Sequence, residues 1–582
     1  MKYQCLPLPL NVYALTLELE YGHVEHLHFG LYAARSETED SYPAAQQRAQ
    51  EQLCYVLRPA PASVLEIGFG TGALAMALAA KGYQVTALSS VAAELQALTR
   101  EDHACVSFIQ GAVATYQPDQ LFDVLLLQQS AQYVDPLELL AFARKYLAKG
   151  GQLLLAEEFV LSDSDIGPEP RPLLRNFLQL VQRCGFSIQY QLELGQQIAP
   201  GLKKFIALIR KHHDAFCQHL DVSAEQLTYI SEGLEAMAEK YARGQLGYTI
   251  LDLRKGDDLH SQRVFGSIAA FEPAEIAPLF EQSFDTHFDP DIWHWKYGHG
   301  RGRAVCVREN ETILAHYGGA PRDILYFNAK HKALQICDVM VLPEYRSFVS
   351  RDTLFFKTAA TLLEQQVGNC AEHLLGFGFP NQRVLKVARR LGLYDTTDRF
   401  IEIDYPVDES DTSRSGYEVE VFSYTNPDAK GLVNTLWQTM AVSFEDKIIG
   451  IRDWEYLQYR YFNHPLWWRG EYECLQVRCS GTSAVLALAF FKPHDGGRLL
   501  MDLIGEVQAF PEVLTALRDY LADHSFAMRS RITHAHAHTL SLKASQQYDL
   551  GIEIPCNVWT KGPAANTLRG AWWLTAGDMD FL

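Results

Sequence analysis

The sequence predicts an α/β protein. Its first part reads as a doubly wound, mostly parallel sheet, and its remainder as two further α/β units related by duplication. Three observations carry this. Short apolar runs without polar alternation recur between helical segments over residues 64–156, the pattern of strands buried on both faces. A glycine loop, VLEIGFGTG at 64–72, joins the first of these runs to a helix. An aromatic–basic–aromatic cluster followed by a strand aspartate occurs twice: Trp295-Lys296-Tyr297 with Asp338, and Tyr459-Arg460-Tyr461 with Asp502. All four residues are displaced by the same 164 positions, the mark of an internal repeat.

Bulk properties set the frame. At 582 residues the chain exceeds one core, and about 150 residues per domain suggests three or four units. The 48% apolar and 21% charged content is that of a globular protein. A formal charge of −19 without a basic block argues against nucleic acid as a partner, because phosphate backbones are held by clustered Lys and Arg. The N-terminal residues lack the charged region and apolar run of a signal peptide, and no apolar stretch reaches about 18 residues, so no membrane partner is expected. The 11 cysteines are scattered without paired spacing, which suits free thiols in a reducing cytoplasm better than a disulfide frame or a zinc site. The partner expected is a small molecule.

Taken in order, residues 1–60 read as a helical lead-in with a loop at 37–43. Strands follow at 64–67, 84–88, 106–109, 124–127 and 152–156, with helices at 74–80, 92–98 and 137–147. Segments 186–194 and 247–253 complete the sheet, with helical stretches at about 197–214 and 224–243 between them. The charged, turn-rich RKGDDLHSQ (254–262) and the Ser-rich acidic DESDTSRSG (408–416) read as linkers. The domains expected are therefore 1–256, 263–406 and 417–582.

Gly68, Gly70 and Gly72, with Phe69 between them, let the backbone turn sharply and approach a ligand closely, while the following helix start offers free N–H groups. The loop alone also fits a dinucleotide fingerprint, and it also fits a tight turn that binds nothing. Glu66 tilts the balance: a carboxylate two residues before the first glycine suits a ligand amine rather than a pyrophosphate.

This stretch resembles motif I of class I S-adenosylmethionine-dependent methyltransferases, which have a Rossmann-like sheet. FDVLLL (122–127) resembles the family's fourth strand, and KGGQLLL (149–155) the turn into its fifth. HLHFGLY, with His28, Phe29 and Gly30, is similar to a lid element of small-molecule methyltransferases, cyclopropane synthases among them. The resemblance implies S-adenosylmethionine as cofactor, held by Glu66, Gly68, Phe69, Gly70, Gly72, Ser89, Gln110 and Gln128. Two positions depart from the family: Ser89 stands where an acid usually holds the ribose, and Ala112 where an Asp lies beside the adenine. Substrate contacts are expected at the strand mouths, from Gln128, Gln129, Ser130 and Tyr133. Glu157 is the candidate base toward a hydroxyl or amine, against the reading of Glu157 and Glu158 as a solvated pair. His28 either orients substrate or is a structural lid residue.

In the second unit a strand, ALQICDVMVL (333–342), runs into Pro343-Glu344-Tyr345-Arg346, followed by helix 352–366, strand 373–379 and helix 381–391. This order resembles the GNAT acyltransferases, in which such a loop presents N–H groups to the phosphates of CoA. The resemblance implies acetyl-CoA or another acyl-CoA as cofactor, held by Val341, Arg346, Arg351 and Asn381. It makes Asp338 the candidate base, against a structural role for a buried strand Asp, and places Trp293, Trp295 and Tyr297 toward substrate. Here too there are departures: Val349 and Arg351 replace loop glycines, and Ala388 replaces a frequent Tyr acid. Arg346 and Arg351 either crowd the phosphates or bind them as charges. The third unit lacks this loop and resembles the non-catalytic half of tandem GNAT proteins. Its His534, His536 and His538 alternate, so on a strand they share a face, a metal site or a polar strand surface. No metal is expected.

The leading reading is a methyltransferase of small molecules fused to an acyl-CoA-dependent N-acyltransferase module, a bifunctional tailoring enzyme. The alternative keeps the methyltransferase and makes the second part a non-catalytic binding module for a CoA- or carrier-linked substrate. A third reading, a scaffold or sensor, rests on Ser89 and Ala112 alone.

Overall fold

A computed structural model describes residues 6–32, 41–96, 98, 106–163, 171–220, 222–256, 263–347, 350–406, 416–482 and 484–579. The chain divides into two compact units, Met1–Ala270 with Arg308–Glu311, and Phe271–Val307 with Thr312–Leu582. Both linker motifs fall largely outside the described residues.

The first unit is built on seven strands: β1 (Ser63–Ile67), β2 (Gln84–Ser89), β3 (Ser107–Gln110), β4 (Phe122–Gln128), β5 (Leu147–Val160), β6 (Phe186–Glu193) and β7 (Leu246–Lys255). Their order is β3-β2-β1-β4-β5-β7-β6. β1 pairs parallel with β2 and β4, and β7 runs antiparallel to both β5 and β6. Leu125–Leu127 and Leu153–Leu155 are fully buried, each worth about 2 kcal/mol of transfer free energy. This explains why these strands show no polar alternation. The order reverses direction between β1 and β4, which places a crevice at their carboxyl ends.

The helical lead-in consists of Leu10–Tyr21 and Tyr42–Val56. It packs through Val12, Leu15, Tyr32 and Tyr42 onto Phe205, Ile209 and Phe216 of the helices between β6 and β7. The sequence placed those helices well: they are Gly195–Lys211, His213–His219 and Ala224–Ala242.

In the second unit both halves of the duplication contribute to one mixed sheet. The first half gives a hairpin, Thr312–Tyr326 with Ala329–Val341, whose second strand pairs parallel with Leu375–Gly378. The second half repeats this with Val485–His494, Gly497–Gly505 and Met528–Thr533. The final strands are exchanged. Tyr394–Tyr405 of the first half pairs with Met528–Thr533, and Gln546–Asn557 of the second half pairs with Leu375–Gly378. The exchanged strands also pair with each other.

The repeated residues meet. Trp295 stacks on Tyr459, its counterpart 164 positions on, with ring centroids 4.7 Å apart and planes 11° from parallel. Its indole N–H donates to the Tyr459 carbonyl at 2.8 Å. In each half the Tyr hydroxyl donates to the strand Asp: Tyr297 to Asp338 at 2.7 Å and Tyr461 to Asp502 at 2.6 Å.

The histidine expectation is corrected. His534–Thr539 is a 3-10 turn rather than a strand, so the three rings do not share a face. His536 turns inward, its Nε2 at 3.0 Å from the Gly570 carbonyl. Among the described residues no group of three metal-ligating side chains forms.

Candidate active site

β1 delivers Glu66 into the crevice and breaks at Gly68. Gly68 has φ +79°, and a Cβ there would lie 2.4 Å from Cβ of Ser130. Ser130 is held close because its hydroxyl donates to the Ile67 carbonyl at 2.5 Å. Only glycine fits. Gly70 differs: at φ +58° a Cβ would meet nothing nearer than Leu27, at 3.7 Å. A side chain at Gly70 would thus make only ordinary contact, with Leu27. Phe69 points inward against Phe108, ring centroids 5.0 Å apart. Gly72 closes the turn, its N–H donating to the Phe69 carbonyl at 2.8 Å.

Two carboxylates flank this loop. Glu66 is 4% exposed and its Oε2 has no partner. Burial, with a smaller push from Glu94, raises its pKa to about 8. Glu94 was not anticipated. It stands in the helix Ala92–Gln96 after β2, where its carboxylate accepts from the Ser89 hydroxyl and the Gly70 N–H. Its Oε2 is also buried without a partner. An acid thus stands five residues after Ser89 and is bonded to it. The signal was present in the sequence, as an acid in the first turn after β2.

Buried polar atoms without partners are rare unless something binds them. Two such carboxylate oxygens beside a glycine turn fit a ligand that brings an ammonium and a vicinal diol, as S-adenosylmethionine does. They oppose a pyrophosphate, which would place further negative charge against them.

The lid motif lies over this loop. Leu27 faces Gly70, the Thr71 hydroxyl donates to the Glu25 carbonyl at 2.5 Å, and the Phe29 N–H donates to Gln129 Oε1 at 2.6 Å. His28 is buried against His26, ring centroids 4.8 Å apart. Its Nδ1 lies 2.9 Å from the Phe29 carbonyl and its Nε2 is unpartnered. Burial first, then His26, lowers its pKa to about 3, so it is neutral.

At the strand mouths, Glu157 and Glu158 are each 2% exposed, so the solvated reading of this pair does not hold. Glu157 Oε2 accepts from the N–H groups of Ala131 and Gln132, at 2.8 and 3.3 Å, and Oε1 from that of Glu158 at 3.0 Å. Burial nevertheless raises its pKa to about 8. Glu158 accepts from the Tyr241 hydroxyl at 2.7 Å and pairs with Arg171 at 3.3 Å. The Gln128 side-chain nitrogen is buried without a partner, Tyr133 is largely exposed, and Gln110 is exposed at the end of β3.

In the second unit the expected CoA groups are engaged with the protein itself. Arg346 Nε donates to the Val341 carbonyl at 2.7 Å. Arg351 donates to the Leu391 carbonyl at 3.2 Å and lies over Trp559, 5.0 Å from its centroid. Asn381 caps the helix Gln382–Arg390 through the Val384 N–H. Val349 lies outside the described residues. Asp338 is locked by Lys296 at 2.9 Å and by Tyr297. Burial pushes its pKa up, but Lys296 and His316 outweigh this and leave it below its ordinary value. Trp293 and Tyr297 are buried side by side, centroids 4.4 Å apart. Trp295 is spent on Tyr459.

Comparison with known proteins agrees with both architectures. Residues 65–155 match the family model described as a methyltransferase domain, and residues 267–395 that described as an acetyltransferase (GNAT) domain. The chain therefore contains a methyltransferase domain on a Rossmann-like sheet and a GNAT domain. A ubiquinone biosynthesis O-methyltransferase of Rickettsia akari is 27% identical over 74 residues, 12% of this chain and 30% of that protein. One from Rickettsia felis is 28% identical over 75 residues, 12% of this chain and 31% of that protein. The chain thus spans about a third of the curated relatives it matches. Among solved structures, a cyclopropane synthase of Mycobacterium tuberculosis is 16% identical with TM-score 0.36, covering 44% of this chain and 97% of that one. A geranyl diphosphate C-methyltransferase of Streptomyces coelicolor A3(2) is 15% identical with TM-score 0.32, covering 43% and 99%. No described helix is long and apolar enough to cross a membrane.

Proposed function

We propose that the first unit methylates a small molecule using S-adenosylmethionine. The observation that carries this is the pair of buried, unpartnered carboxylate oxygens of Glu66 and Glu94 beside the glycine turn at Gly70. Glu66 would hold the ammonium and Glu94, backed by Ser89, the ribose hydroxyls. Bound there, the cofactor supplies an electrophilic methyl group. The chain contributes position and a dry path. Residues 25–29 cover the glycine loop, and Gln129 pins that cover through the Phe29 N–H. Tyr133, exposed at the mouth of β4, is placed to meet an acceptor.

Neither Glu157, the candidate base, nor His28 is poised to take a proton. His28 is held neutral with a pKa of about 3, and all the oxygens of Glu157 accept backbone N–H groups. This favours an acceptor that is nucleophilic without deprotonation by the enzyme, and it assigns Glu157 to shaping the turn at 131–132. Calorimetric titration of the full chain with S-adenosylmethionine tests the reading. One-site binding is expected. No binding, or binding of a nicotinamide dinucleotide instead, would overturn it.

A second reading concerns the GNAT domain. The engagement of Arg346, Arg351 and Asp338 favours a binding role over acyl transfer. A thiol-release assay with acetyl-CoA and a panel of amines separates the two. Turnover would restore the bifunctional tailoring enzyme that the sequence suggests, with acyl-CoA as second cofactor.

A further inference from the structure

Four cations cluster where the duplicated halves meet, and three are accounted for. Lys296 has Asp338. Arg460 is spent on the carbonyls of Gly577 and Met579 and on the Tyr472 hydroxyl. Arg301 is exposed and needs no counter-charge. Arg322 is the exception. It is 6% exposed on the strand Thr312–Tyr326, its Nε donates at 2.9 Å to the neutral side-chain oxygen of Gln335, and its Nη2 has no partner. A buried guanidinium ordinarily takes a carboxylate, since desolvating a lone charge is costly. Arg452, equally buried in the same unit, shows the usual solution: it is held by both Asp502 and Asp578.

Tyr459 marks where the missing negative charge belongs. Its ring is stacked on Trp295, and the Arg301 guanidinium lies 3.7 Å from its centroid. Of the charges that act on its hydroxyl, Arg322 and Arg301 act most strongly, followed by Arg460 and Lys296. Tyr459 is half-buried and Arg301 exposed.

We propose that Arg322, Arg301 and the Tyr459 hydroxyl bind a small oxoanion, the carboxylate or phosphate group of an organic ligand. The site is separate from the loop at Arg346, whose guanidinium is already engaged, and it requires neither methyl nor acyl transfer. Arginine suits it because its planar donors match two oxygens of either group.

The test is calorimetric titration of the full chain, at low ionic strength, with inorganic pyrophosphate and separately with citrate. Wild type is compared with Arg322→Gln, Arg301→Gln and Arg346→Ala. At least one probe is expected to bind, and Arg322→Gln and Arg301→Gln are each expected to weaken it about tenfold or more, as loss of a charged hydrogen bond does. Preference for pyrophosphate or citrate identifies the phosphate or carboxylate form. Because Arg301 is exposed, its variant reports binding even where Arg322→Gln disturbs folding. The probe should also raise the melting temperature of wild type but not of Arg322→Gln. The proposal is overturned if neither probe binds, or if Arg346→Ala abolishes binding while Arg301→Gln leaves it intact.

Discussion

The glycine loop after β1 and the loop after the strand Ala329–Val341 begin from one device, a strand that turns into a helix and offers backbone N–H groups. They end in opposite states. Around the first, Glu66 and Glu94 each keep a buried oxygen without a partner. Around the second, Arg346 is bonded to Val341, Arg351 to Leu391, Asn381 to the helix it caps, and Thr353 to the Phe356 N–H. Unsatisfied buried groups cost free energy that a ligand can recover. The first loop therefore keeps polar atoms for a ligand, whereas these described groups of the second are bonded within the protein. A fold that matches a family preserves the turn, whereas the state of its polar atoms tells whether the turn still has work to do.

The comparison is most exposed to failure at the locked carboxylates. Asp338→Asn removes the carboxylate that Lys296 pairs with, and Asp502→Asn removes one of the two that hold Arg452, leaving Asp578. Each should cost about 3–5 kcal/mol in urea denaturation. A stable Asp338→Asn protein that has lost an acyltransferase activity would instead make Asp338 a base.

Next comes Gly68→Ala, which forces a Cβ onto Ser130 at positive φ and should cost about 2–4 kcal/mol of stability. Gly70→Ala meets only ordinary contact with Leu27, so it should cost about 1 kcal/mol for its positive φ, less than Gly68→Ala, while weakening S-adenosylmethionine. Equal loss of stability in both variants would show that the turn at Gly70 is as closed as that at Gly68.

Glu66→Gln should weaken S-adenosylmethionine about 10–100-fold by calorimetry. Its pH behaviour is a sharper test. The native Glu66 carboxyl, with a pKa of about 8 against an ordinary 4.5, holds a proton that the unfolded chain has released. Stability of the ligand-free protein therefore falls as pH rises between those values, by about 1.4 kcal/mol per unit for each such group. Glu157 adds a similar slope. Glu66→Gln should remove only its own share, and wild-type cofactor affinity should rise toward pH 8 as Glu66 ionises. A flat profile would mean that Glu66 is solvated.

The smallest effect is expected at Arg346. Arg346→Ala removes one hydrogen bond at an exposed side chain and should cost about 1 kcal/mol or less, with no change in CoA affinity. A marked drop in CoA binding would reopen that loop.

Much of the fold was legible in the sequence. β1, β2, β4 and β5 fall where apolar runs of four or five residues stand between helices, because strands covered on both faces leave no room for polar alternation. Of the candidate site, Glu66 and the glycines were legible because motif and strand are contiguous. Glu94 was not, because its role depends on how a helix turns after β2. Glu157 read as an available base because the sequence records a carboxylate at a strand end but not the two N–H groups at 131–132 that fold back onto it. His534, His536 and His538 misled for a related reason: alternation implies a shared face only in extended backbone, and a 3-10 turn replaces it.

The sequence by itself determined the two architectures and their duplication, since periodicity, glycine spacing and a repeated offset are local or translational properties of the chain. Tertiary structure alone decided which polar atoms are left over. A hydrogen-bond partner is chosen by distance in space, and Arg346, Glu157 and Asp338 found theirs within the protein, while Glu66, Glu94 and Arg322 each keep one buried atom that did not.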